Sequence, residues 1–273
     1  MPWNLTQRVS GVIQMRSALK PSLRRALVWG IELVAGSGPR FHRVPFGPYR
    51  GKRIYISPEL SPMMFLGINE PWMAQLARDY IRKGDVVYDI GAHIGYTAVL
   101  FRDAVGNNGA VHAFEILPST VKEFLMNTVL YNGFENIVIH NVGLGANARM
   151  VELPVLDRMM TSIYSKKIKG RKRELCRIET LDQYVAEKCL PCPRFIKVDV
   201  ERAEMEVLSG GKGVIMKYRP IMVVEFHSSD LLREGYGLLQ SMEYTLVTRG
   251  GEVLDAMNLD DGWKSRQSIL CLP

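Results

Sequence analysis

The run Gly84-Asp85-Val86-Val87-Tyr88-Asp89-Ile90-Gly91-Ala92-His93-Ile94-Gly95 is an apolar stretch that ends on Asp89 and breaks into a turn with glycines at 91 and 95. A strand there would feed a ligand-binding loop. The next apolar run, Ala110-Val111-His112-Ala113-Phe114, closes on Glu115, 20 residues past Gly95 (115 − 95). At that spacing a carboxylate can accept hydrogen bonds from both hydroxyls of a ribose. Glycine permits the positive φ and close backbone approach of such a turn, and the helix after it offers free N–H groups to an anion. These residues imply a nucleoside cofactor. Its candidate contacts are Asp89, Gly91, Ala92, His93, Gly95, Tyr96, Thr97, Glu115 and Ile116, with Asn141, Val142 and Gly143 beside the base of the nucleoside.

The glycine spacing narrows the cofactor. A dinucleotide fingerprint needs a middle glycine so that the backbone can press against a pyrophosphate; His93 stands there, and the pattern is G-x-x-x-G. The D-x-G-x-x-x-G form resembles the first motif of S-adenosylmethionine-dependent methyltransferases. That cofactor carries an amino-acid end and a sulfonium in place of two phosphates, and leaves as S-adenosylhomocysteine. Asp89 would face its ammonium, directly or through water.

Further along, Phe195-Ile196-Lys197-Val198-Asp199-Val200-Glu201-Arg202-Ala203-Glu204-Met205-Glu206-Val207-Leu208-Ser209-Gly210-Gly211 resembles the "IKIDVEGAE.EVL.G" signature of FkbM-type methyltransferases. Asp89 to Gly95, Phe114-Glu115, Thr180-Leu181-Asp182 and Pro220-Ile221-Met222-Val223-Val224-Glu225 extend the resemblance from about residue 70 to the end of the chain. It implies a class I (Rossmann-like) methyltransferase fold, α/β and doubly wound, with a mostly parallel seven-stranded sheet. It also implies S-adenosylmethionine as cofactor and O-methylation of a hydroxyl on a sugar or polyketide-like metabolite. One position departs from the pattern: the glycine after D-V-E is Arg202 here. Either the backbone there does not need φ > 0, or the turn is rebuilt.

Ligands of a doubly wound sheet collect beyond the carboxyl ends of its strands. Asp89, Glu115, Asn141, Asp199, Glu225 and His227 all fall at or just past such ends. Alternation along a strand places Lys197, Asp199 and Glu201 on one face, and Lys197 needs a carboxylate partner, supplied by Asp199 or Glu225. Methyl transfer to an alcohol removes a proton, so a base is expected. His227 is the first choice, with Asp199 and Glu201 behind it. Asp199, Glu225 and His227 could also hold a divalent metal such as magnesium, a reading not favoured over the metal-free one. His42, His112 and His140 read as structural.

The elements that must position these groups follow from periodicity. The first part, 1–69, reads as an extension with a helix at 26–35 and a hairpin over 41–57 around Gly47-Pro48 and Gly51. The cofactor-binding domain, 70–273, opens with a helix at 70–83 and then alternates. Strands are expected at 86–90, 110–114, 137–141, 195–200 and 221–226, and helices at 95–102, 119–132, 181–187 and 204–209. Short strands at 149–155 and 175–178 flank a basic loop, and 244–248 with 268–272 makes a closing hairpin. Such alternation predicts parallel strands joined by right-handed helical crossovers.

At 273 residues the chain can bury a substantial core, and 47% hydrophobic with 23% charged residues is the composition of a folded globular protein. Net charge is +7. The excess gathers in Arg24, Arg25, Arg40, Arg43, Arg50, Lys52 and Arg53, and in the run Lys166, Lys167, Lys169, Arg171, Lys172 and Arg173. That run reads as a solvated loop, with an anionic acceptor or carrier as the alternative. Nucleic acid is disfavoured, since no aromatic residue interleaves the run and Asp199-Val200-Glu201-Arg202 replaces the Asn/Asp-Pro-Pro-Tyr/Phe motif of nucleic-acid methyltransferases. Of four cysteines only Cys189 and Cys192 have metal or redox spacing, with no second pair, which points to a reduced, cytoplasmic chain. The apolar stretch 26–35 is far short of the roughly 20 residues that span a bilayer, though an amphipathic helix could touch a membrane surface. The leading expectation is an O-methyltransferase acting on a small molecule or glycan. The alternative is a catalytically silent S-adenosylmethionine-binding module that engages an anionic partner through the basic run.

Overall fold

A computed structural model describes residues 40–58, 61–125, 129–155, 172–256 and 266–273, together with 26, 28–31, 33, 36–38 and 259. The positions described at 26–33 are helical. The basic run lies outside the described residues except for Lys172 and Arg173.

The strands are β1 Arg40–Arg43, β2 Arg53–Ile56, β3 Val86–Ile90, β4 Ala110–Phe114, β5 Ile137–His140, β6 Gly143–Leu144, β7 Arg149–Pro154, β8 Arg173–Glu179, β9 Phe195–Val198, β10 Ile221–Phe226, β11 Thr245–Val247 and β12 Gln267–Leu272. The helices are α1 Pro62–Leu66, α2 Pro71–Tyr80, α3 Tyr96–Val105, α4 Pro118–Leu125, α5 Leu181–Glu187, α6 Glu204–Gly210, α7 Lys212–Tyr218 and α8 Ser229–Ser241.

A seven-stranded sheet runs in the order β11-β12-β10-β9-β3-β4-β5. Pairings among β10, β9, β3, β4 and β5 are parallel, and β12 is antiparallel to both β10 and β11. Parallel strands need covered faces, and period-2 alternation supplies them. Val87, Val111, Phe195 and Val223 face one core with α2 and α3. Tyr88, Phe114, Ile196 and Met222 face the other, with α5 to α8. Each fully buried side chain of this size contributes about 1.5–3 kcal/mol.

From β3 the chain steps outward to β4 and β5, then returns to β9 on the other side of β3. The crevice beyond the ends of β3 and β9 is therefore the topological switch point, where such sheets bind ligands. Side-chain caps start two of the helices: Thr180 Oγ1 accepts from Gln183 N at 3.2 Å, and Ser228 Oγ from Leu231 N at 3.3 Å. The hairpin β1-β2 is antiparallel, and the turn Gly47–Tyr49 beside it places Tyr49 in a stack on Tyr96, ring centroids 3.8 Å apart. A smaller sheet, β6-β8-β7, covers Leu117, Leu153 and Cys176.

Two expectations change. The strand expected at 195–200 stops at Val198, because Glu201 and Arg202 adopt left-handed backbone, φ 49° and 78°, so Lys197, Asp199 and Glu201 do not share one strand face. The helix expected at 119–132 is α4, with 126–128 outside the described residues.

Candidate active site

Between β3 and α3 the turn holds Gly91 at φ 80°, His93 at 51° and Gly95 at 82°. A Cβ on Gly91 would lie 1.9 Å from the Asp199 carbonyl oxygen, so only glycine lets the turn close on the end of β9. Gly91 N and Ala92 N both donate to Phe114 O at 3.0 Å, tying the turn to β4. His93 N donates to Glu115 Oε2 at 3.0 Å and Leu117 N to Glu115 Oε1 at 3.0 Å. Glu115 is buried, 7% exposed, and each oxygen keeps a lone pair for a further donor. Burial raises its carboxyl, against the lowering pull of main-chain N–H groups from Leu117, His93 and Ile116. Asn141 Nδ2 donates to the carbonyls of Glu115 and Ile116 at 3.0 and 3.2 Å, and a Cβ on Gly143 would meet the Ile116 side chain at 2.4 Å. Ile116, Asn141 and Gly143 thus form one wall beside Glu115, with buried Val142 behind it.

The floor is charged. Asp89 and Lys197 are directly in register across β3 and β9, and both are buried, at 0% and 4% exposure. Lys197 Nζ lies 3.5 Å from Asp89 Oδ1 and 3.4 Å from Asp199 Oδ2. Glu225, the other partner expected for Lys197, instead meets Arg266 Nε. Burial pulls the Lys197 ammonium down, but Asp199, Asp89 and Glu70 more than reverse it and keep it charged. Thr97 Oγ1 donates to Asp89 Oδ2 at 2.7 Å, so the first turn of α3 is pinned to β3. Burial pushes the His93 imidazole down to about 4, which makes it a neutral wall of the turn.

At the mouth stands His227, one residue past β10. Its Nδ1 is 2.6 Å from Glu204 Oε1, and Glu204 is fully buried. Its Nε2 faces Glu201 Oε2 at 3.1 Å and Asp199 Oδ1 at 3.7 Å, without a well-aligned hydrogen bond. Burial pulls this imidazole down; the Glu201 and Glu204 carboxylates win and raise it to about 10. Burial also raises Asp199, but Lys197, Arg266 and His227 bring it below the usual carboxylate range. Arg266 Nη2 reaches Asp199 at 3.3 Å and its Nη1 reaches Glu201 at 3.7 Å. Donor atoms of Asp199, Glu201 and His227 lie within 4.8 Å of one another, close enough to converge on a cation, but Lys197 and Arg266 already share these carboxylates.

The sequence did not reveal Glu204 as the partner of His227, nor Arg266 or Glu70. Glu204 stands in the FkbM-like run, where its carboxylate could have been noticed; Arg266 is delivered by β12, whose insertion between β10 and β11 no local pattern announces. Among the described residues, no helix is long and apolar enough to cross a membrane.

A parallel sheet closed by one antiparallel strand, with a glycine turn at its switch point and a carboxylate ending the next strand, defines a class I methyltransferase. The methyltransferase FkbM domain matches residues 89–257, more than half of the chain, and the protein belongs to that family. Among solved structures it is similar to methyltransferase FkbM from Methylobacillus flagellatus KT, at 15% identity over 90% of this chain and 57% of that one, TM-score 0.45. The chain therefore spans little more than half the length of that relative. It is also similar to a putative rRNA methylase from Clostridium thermocellum, at 11% identity over 74% and 93% of the two chains, TM-score 0.48. Aeropyrum pernix fibrillarin, solved with natively bound S-adenosyl-L-methionine, matches at 13% identity over 86% and 83%, TM-score 0.44. No curated protein matches the sequence.

Proposed function

We propose that the protein transfers the methyl group of S-adenosylmethionine to a hydroxyl of a small molecule or glycan. The observation that carries this reading is the Glu204–His227 pair at the mouth of the glycine turn: Glu204 holds Nδ1–H at 2.6 Å, which leaves Nε2 as the atom that can take a proton. An oxygen acceptor loses a proton on methylation, and this dyad is built to receive it.

The residues present suit the cofactor. Gly91 forms a cradle that a Cβ would fill, and Glu115 keeps lone pairs for the ribose hydroxyls. Asp89 Oδ1 has no hydrogen bond among the described residues, Lys197 lying 3.5 Å away, and would meet the ammonium directly or through water. Ile116, Asn141, Val142 and Gly143 would hold the adenine. When bound, S-adenosylmethionine supplies an electrophilic methyl on a sulfonium.

His227 accepts the acceptor's proton at Nε2, and Glu201 and Asp199 orient the imidazole and stabilise the imidazolium that results. Positioning an acceptor oxygen in line with the methyl group supplies much of the remaining acceleration. Residues 1–69 extend the domain at 70–273, and Tyr49 stacked on Tyr96 ties the two together beside the turn.

The test is transfer from S-adenosylmethionine carrying a 13C methyl group to a panel of sugars and polyketide alcohols, read by NMR. A methoxy carbon in the product is expected. An N-methyl or C-methyl product would overturn the O-specific reading, and binding without transfer to any acceptor would favour a silent cofactor-binding module.

A further inference from the structure

Glu70 precedes the FkbM match, which begins at residue 89. It caps α2 with a left-handed backbone, φ 50° and ψ 52°, a conformation that is strained for a residue with a Cβ and persists only where surroundings impose it. Helix capping does not explain it, because its side chain makes no cap hydrogen bond. Oε1 accepts from Asn69 Nδ2 at 3.3 Å, while Oε2 is buried with no hydrogen-bond partner among the described residues. A buried carboxylate oxygen without a donor is costly, so a bound donor is expected there.

The surroundings say what kind. Lys197, Asp199, Arg266 and Asp89 all act electrostatically on Glu70, which places it at the charged floor of the site. Tyr96, the first residue of α3, feels Glu70 as well, which places it beside the end of the glycine turn. The nearby cations are engaged elsewhere: Lys197 pairs with Asp89 and Asp199, and Arg266 with Asp199, Glu201 and Glu225. Burial raises the Glu70 carboxyl despite those cations, as expected of a carboxylate still lacking a positive partner.

We infer that Glu70 is an ammonium-binding residue, the second carboxylate that with Asp89 brackets the amino-acid end of the cofactor. The inference rests on the S-adenosylmethionine reading. Free N–H groups at the start of α3 would face the carboxylate of that end, and Glu70 its ammonium, so the two ends of the zwitterion meet opposite charges. A residue outside the family domain would then set how tightly the cofactor is held.

Two ligands separate charge recognition from a structural role: S-adenosylhomocysteine, and 5′-methylthioadenosine, which lacks the amino-acid end. Both are titrated calorimetrically into the full chain and into Glu70→Gln. The variant should bind S-adenosylhomocysteine about tenfold or more weakly and 5′-methylthioadenosine within about twofold of the parent. Glu70→Gly, which relieves the left-handed strain, should show the same selective loss with no drop in stability. Unchanged S-adenosylhomocysteine affinity, or equal losses for both ligands, would overturn the inference. Folded parent protein that binds neither ligand would overturn the cofactor reading, and this inference with it.

Discussion

Glu204 Oε1 lies 2.6 Å from His227 Nδ1, and this contact between α6 and the end of β10 fixes which nitrogen of the imidazole can act. Glu204 is fully buried and Oε1 also accepts from Arg202 N at 2.8 Å, so the carboxylate cannot swing away. With Nδ1 holding a proton, Nε2 is the proton acceptor, and the imidazolium is favoured up to about pH 10.

Turnover should therefore climb with pH from neutrality towards about 10, because only the deprotonated fraction of His227 can take the acceptor's proton. Glu204→Gln should move that limb to lower pH, since the carboxylate that raises the imidazole is gone. The kcat/KM profile against pH, once an acceptor is known, checks this. A flat profile from pH 6 to about 9 would assign the base role to Glu201 or Asp199 instead.

Acid should weaken the fold through a buried histidine pair. His112 Nδ1 and His140 Nε2 are 2.9 Å apart, and His140 Nδ1 is 3.2 Å from Tyr184 Oη, all in the core. Burial pushes both imidazoles down to about 4, helped at His140 by His112. A histidine whose folded pKa lies below its unfolded value of about 6.5 contributes stability that is present above that value and lost as pH falls towards the folded one. Denaturant midpoints should drop between pH 7 and about 4.5, less so in His112→Gln. Parallel pH dependences in both proteins would contradict the assignment.

Arg202 adopts a left-handed backbone that glycine would take freely, at φ 78° directly after Glu201 at 49°. The position therefore does need φ > 0, and here an arginine adopts it. Arg202→Gly should stabilise the protein by about 0.5–1 kcal/mol, the relieved strain exceeding the added freedom of the unfolded chain. Urea unfolding measures it, and a loss of stability would show that the arginine side chain makes a contact outweighing the strain.

Much of the scaffold was legible because its strands carry local signals. The bounds of β3, β4 and β10 fall where the apolar runs begin and end, and α5 starts at its Thr180 cap. The long helix α8 was hidden by Gly235 and Gly237, which dilute helical propensity. Gly235 is there for packing: a Cβ would lie 2.3 Å from Phe226 Cε1. The end of β9 is not marked locally, because no glycine stands at the left-handed turn of Glu201 and Arg202. The charged partners of His227 and Asp199 depend on strand order and on the return of β12, which are tertiary facts.

The central claim is that the glycine turn and Glu115 form a site for S-adenosylmethionine, and calorimetric titration with S-adenosylhomocysteine tests it most directly. The parent protein should bind at one site per chain. Glu115→Ala, shown to be folded by its circular dichroism and unfolding midpoint, should bind at least about tenfold more weakly, because a buried charge-assisted hydrogen-bond pair to the ribose is worth about 1.5–3 kcal/mol. No detectable binding by the folded parent, or undiminished affinity in Glu115→Ala, would contradict the account.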